Sequence, residues 1–224
     1  MMNQHVRKAL ETGLTTYGHM AGHPAGALLD ALTGIFESDQ PFTEKMDRLD
    51  AAFDEHPRFD ELREVAFDLL LMNFFAEDVN KLEADYLESP EWEAIEEETL
   101  DRGTEVLNLL LYLRECADEE IEPQLSDYLT EFLLVDEDEF QDEHRIYEPV
   151  IANQLLVDSI YAEIAKAAGS IPEEQELSNL FYPMMSFFNE PEPSEKDMAE
   201  FSRHSAQPAF DTAIYRMLVA YNAH

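Results

Sequence analysis

Two histidines, His19 and His23, lie four residues apart, the spacing that puts paired imidazoles on one helix face in many zinc sites. Gly22 and Pro24 break a helix between and beyond them, and no cysteine or third histidine is close in sequence. A polar helix terminus is therefore expected there, not a metal site. An enzymatic use of this segment would need a buried polar pocket around His19. A di-iron carboxylate bundle needs glutamate three residues before histidine. His144 has Gln141 at that position and His204 has Phe201. Asp136, Asp138 and Asp142 match three ligand positions of a calcium-binding loop, but Gln141 stands where its glycine belongs and Tyr147 where its bidentate glutamate belongs. Cys116 sits between Glu115 and Asp118, and that negative charge disfavours its thiolate. Neither a G-x-S-x-G elbow nor a phosphate-binding glycine run occurs. The expectation is a non-enzymatic protein with no catalytic residues, no metal and no cofactor.

Carboxylates dominate what remains. The chain has 224 residues, with 50 Asp and Glu against 14 Lys and Arg, a net charge of -36. Such a surface repels nucleic acid and anionic membranes, so direct binding to either is not expected. The charge is unevenly spread: residues 1–36 are neutral overall, whereas residues 83–148 carry a net -21. Dense runs fall at residues 91–98, 118–122 and 136–143. Helix-terminal complementarity and solvated faces account for part of this, and a salt-rich environment would screen the self-repulsion. Beyond that, the pattern predicts an acidic surface presented to a basic protein partner. Asp136, Glu137, Asp138, Glu139, Asp142 and Glu143 are its candidate partner-binding residues. Opposite charge would speed the encounter, with Trp92 or Tyr147 as apolar anchors. The alternative is a DNA mimic, with rows of carboxylates standing in for phosphates on a nucleic-acid-binding protein.

The elements that must carry these residues read as helices. Apolar residues recur at helical spacing almost throughout, and no convincing period-two alternation occurs, which predicts an all-α fold of about eight to ten helices. One stripe is Val6, Leu10, Leu14 and Tyr17, and a second is Leu28, Leu29, Leu32, Ile35 and Phe36, on either side of a break at residues 18–26. Thr43 is the expected cap of a third helix. Pro57 opens a long helix to about Leu82, and Ser89-Pro90-Glu91 starts another that runs to Leu113. Further helices are expected from about Glu119, from Phe140 to Ala168 with a kink at Pro149, and from Pro172, Ser194 and Pro208. The apolar runs 69–75 and 107–113 should lie at the centre of the core.

Residues 64–72 resemble residues 105–113 at an offset of 41, and residues 85–88 resemble 127–130 at an offset of 42. The preferred architecture is an irregular multi-helix bundle spanning residues 1–224 as one domain. A short stack of HEAT-like helix pairs is the alternative. A lone cysteine fits a reducing compartment, the N-terminal residues lack a secretory apolar core, and no apolar run approaches the ~20 residues that span a bilayer. A cytoplasmic location is expected.

Overall fold

The computed structural model describes residues 2–77, 89–133, 146–175 and 177–223. Asn3 caps the first helix, α1 (Gln4–Ala21), by accepting from the backbone N–H groups of His5 at 2.9 Å and Val6 at 3.3 Å. Its apolar stripe of Val6, Leu10, Leu14 and Tyr17 is buried. Gly22 ends it in the left-handed conformation at φ 73°, which glycine adopts without steric cost. There follow α2 (Gly26–Phe36), α3 (Phe42–Glu55), a 3₁₀ turn (Pro57–Leu62) and α4 (Arg63–Glu77). Next come α5 (Pro90–Thr99), α6 (Val106–Glu119) and α7 (Leu125–Leu133). After α8 (Glu148–Ala152) and a second 3₁₀ turn (Gln154–Asp158) come α9 (Tyr161–Ala168), α10 (Phe181–Asn189), α11 (Glu195–His204) and α12 (Pro208–Asn222). The described residues contain no strand.

The fold is all-α, as the apolar spacing predicts. Buried side chains from Met2 to Tyr221 form one hydrophobic cluster. Helices α4 and α6, which carry the two leucine-rich runs, pack on each other, with Leu70 and Leu110 at most 1% exposed. Helices α10 and α12 are as central as these: residues 181–188 are all buried, and α12 buries nine of its side chains. The first and last helices, α1 and α12, lie along each other. That contact closes the chain into a bundle, whereas a stack of repeats would leave its ends apart.

Several boundaries differ from the expectation. Phe42 rather than a Thr43-capped residue begins α3, and Pro41 stands at the cap. Pro57 opens a 3₁₀ turn before α4, and Leu82 lies outside the described residues. The helix expected from Ser89 to Leu113 is two helices. Ser89 does cap α5, accepting from the Trp92 backbone N–H at 3.2 Å, but Gly103 turns the chain at φ 87° before α6. Glu119 ends α6, so α7 starts later, at Leu125. Of the helix expected over residues 140–168, residues 140–145 lie outside the described residues, and the rest is broken by a 3₁₀ turn and by extended backbone at Ser159 and Ile160. Pro172 opens only turns, and α10 begins at Phe181. These breaks raise the count to twelve α-helices among the described residues. Ser194 forms the expected capping box with Asp197, and Pro208 opens α12.

Candidate functional site

The break between α5 and α6 is held by a carboxylate latch. Gly103 donates its backbone N–H to Glu64 Oε2 at 2.8 Å, and Thr104 donates its N–H to Asp68 Oδ1 at 3.0 Å. The Thr104 hydroxyl also donates to Asp68 Oδ2. A Cβ at Gly103 would stand 2.6 Å from Asp68 Oδ1, so only glycine fits this approach. Asp68 is fully buried, and burial pushes its carboxyl well above the usual range against the opposing pull of the Thr104 donors. Arg102 forks onto Asp50, Nη1 to Oδ2 at 2.9 Å and Nη2 to Oδ1 at 3.0 Å, while its Nε reaches Glu64 Oε2 at 3.0 Å. Its guanidinium lies 4.7 Å from the centre of the Phe67 ring. Arg63 likewise pairs with Asp50, Asp54 and Asp60.

This latch fixes one end of α5, and the packing of Trp92 on Phe75, with ring centres 5.4 Å apart, fixes the other. Between them α5 exposes Glu93, Glu96, Glu97 and Glu98, and Asp101 follows. Glu119, Glu120 and Glu122 are exposed at the C-terminal end of α6. Carboxylates are unfavourable there, because the last turn is the negative end of the helix dipole. Glu120 adds a left-handed backbone at φ 57°, the only such non-glycine among the described residues. None of Glu96, Glu97, Glu98, Asp101, Glu119, Glu120 and Glu122 enters an ion pair among the described residues. The two described arginines of this segment turn inward: Arg102 into the latch, and Arg114 toward the Phe75 carbonyl, with Asp118 at 3.9 Å.

The candidate partner-binding residues Asp136, Glu137, Asp138, Glu139, Asp142 and Glu143 lie outside the described residues. Tyr147 is not an available anchor. It is 2% exposed, its hydroxyl donates to Glu105 Oε2, and it lies 2.8 Å from the Tyr128 hydroxyl. Trp92 is half-buried against the core. Alternating polarity cannot foretell this, because a tyrosine hydroxyl is satisfied in the core by a partner distant in sequence.

His19 lies in the last turn of α1, exposed, beside an open groove of about 370 Å³ that Thr15, Ser202, Glu195 and Arg216 help to line. His23 lies past the Gly22 turn, with its Nδ1 2.9 Å from Arg58 Nη1, so the two imidazoles do not share a helix face. Cys116 is buried at 1% exposure. No group of three or more potential metal ligands occurs among the described residues. A cavity of about 530 Å³ between α3, α4 and α5 has the buried Lys45 in its wall, whose ammonium donates to the Phe36 carbonyl at 3.3 Å. A smaller one of about 210 Å³ is lined by Asp211, His204 and Tyr182. Burial raises the Asp211 carboxyl to about 6, although the Ser205 hydroxyl and the Gln207 backbone both donate to it. No described helix is long and apolar enough to cross a membrane.

No protein family, characterised protein or solved structure is significantly similar to the chain. Sequence reasoning missed the latch. Its one signal was Asp68, a lone acid inside the apolar run of α4, together with Arg102, one of only three basic residues between 83 and 148.

Proposed function

We propose that this chain is a non-enzymatic, cytoplasmic interaction module that presents an acidic surface to a basic protein partner. The observation that carries this reading is the display on α5 and at the end of α6 of exposed carboxylates that enter no ion pair among the described residues, beside arginines that are spent internally. Like charges held this densely destabilise the fold, and a basic partner relieves that repulsion on binding. Glu96, Glu97 and Glu98 are consecutive, so they fan around α5 about 100° apart instead of forming a row. That fan supports docking rather than phosphate mimicry.

The test starts with a partner captured from native lysate and purified. Its association rate is measured across a salt series. Changing Glu96, Glu97, Glu98, Glu119, Glu120 and Glu122 to Gln removes six charges at exposed sites. The variant should fold normally and associate about tenfold more slowly at low salt, with the difference vanishing at high salt. A second variant, with Asp136, Glu137, Asp138 and Glu139 neutralised, reads the contribution of that run separately. Wild-type rates in both variants at low salt, or salt-independent binding, would refute the proposal.

A further inference from the structure

Six large hydrophobic side chains are exposed among the described residues, and three of them fall within ten residues of sequence: Ile151 at 45%, Leu155 at 83% and Ile160 at 62%. Single exposed apolar residues are ordinary, but a local concentration marks a contact surface. The segment is not loose. Asn189 donates its side-chain N–H groups to the Val157 carbonyl and to the Ser159 carbonyl, the latter at 3.0 Å. Asn153 donates to the Pro149 carbonyl at 2.8 Å, and the Leu156 backbone N–H to the Asn153 carbonyl at 2.9 Å. Leu156 and Val157 point inward and pack on the core, while the second 3₁₀ turn buries none of its residues fully. The backbone is thus pinned from behind, and Leu155 and Ile160 stand outward on a fixed support. A fixed support lowers the entropy lost when a partner covers them.

The charge around this strip defines what fits it. Glu148, Asp158 and Glu163 near the strip are exposed, Arg145 and Lys166 are the flanking bases in sequence, and the chain as a whole is strongly acidic. A second copy of the chain would bring these carboxylates against their equivalents, at a net charge of -36 on each protomer. We infer that the strip at Ile151, Leu155 and Ile160 is an apolar anchor for a partner segment whose apolar side chains are flanked by lysine or arginine. This rests on the reading of an acidic module for a basic partner. It assigns the grip to the strip and leaves the steering to α5 and α6.

The probes are two synthetic peptides of equal charge, an amphipathic Lys/Leu peptide and a Lys/Ser peptide, with an uncharged Gln/Leu peptide as control. Binding is followed by fluorescence anisotropy to the intact wild-type chain and to the double variant Leu155→Ser, Ile160→Ser. Both positions are exposed, so the variant should retain its helical circular dichroism. Wild type should bind the Lys/Leu peptide at least about tenfold more tightly than the Lys/Ser peptide, the effect of burying one large apolar side chain. The double variant should lose that preference while keeping the salt-dependent Lys/Ser binding. Retention of the full preference in the double variant overturns the assignment, as does equal wild-type affinity for Gln/Leu and Lys/Leu peptides. A wild-type dimer in sedimentation that the double variant dissolves also overturns it, making the occupant a second copy. A preference for Lys/Leu that depends on the strip, without any Lys/Ser binding at low salt, would support the anchor and count against the acidic-steering reading.

Discussion

Replacing Asp211 by asparagine removes a charge from a site that resists it. The side chain is 5% exposed, and burial raises its carboxyl from 3.8 to about 6. The folded state therefore holds the proton more tightly than the unfolded chain. The stabilising effect of that proton is complete below pH 3.8 and is lost as the pH rises through about 6. The difference amounts to about 3 kcal/mol at neutral pH, of which about half develops between pH 5 and pH 8. Asparagine never ionises, so Asp211→Asn escapes this loss. It keeps one acceptor oxygen for the Ser205 hydroxyl or the Gln207 N–H and gives up the other hydrogen bond, at about 1 kcal/mol. The variant should thus be about 2 kcal/mol more stable than wild type at pH 8, with the advantage largely gone at pH 5. Urea unfolding of both proteins between those pH values measures the difference directly. A stability difference that does not change with pH would show that Asp211 titrates as an ordinary exposed carboxylate, and would refute the reasoning.

The latch and the core give two further predictions. Gly103→Ala places a Cβ 2.6 Å from Asp68 Oδ1 on a backbone at φ 87°, so it should destabilise the fold by about 2–3 kcal/mol in the same urea assay. A change below about 0.5 kcal/mol would mean that the latch opens freely in solution. Leu110 is fully buried between α6 and its neighbours, and Leu110→Ala should cost about 2–5 kcal/mol by thermal or urea unfolding.

How much of this was legible in the sequence varies by element. The all-α class, the caps at Ser89 and Ser194, the prolines opening α5 and α12 and the core role of the runs 69–75 and 107–113, in which Phe74, Leu107 and Leu111 are only partly buried, follow from spacing and cap chemistry, which act over one or two helical turns. The distribution of charge is also a property of the sequence alone, since adding residues along a segment needs no coordinates. Tertiary structure decided where the helices break. Gly103 becomes a turn because Glu64 and Asp68, almost forty residues earlier, receive the backbone N–H groups that a continuous helix would have used itself. It also decided which polar groups are structural. Tyr147 and Trp92 look like surface anchors by residue type, and are held in or against the core by Glu105, Tyr128 and Phe75. Conversely, Leu155 and Ile160 look like core residues, and stand in solvent because Asn189 pins the backbone between them. Periodicity reports which face of a helix is apolar. Whether that face, or a single residue beside it, meets protein or water depends on partners distant in sequence, and only the packed chain brings those together.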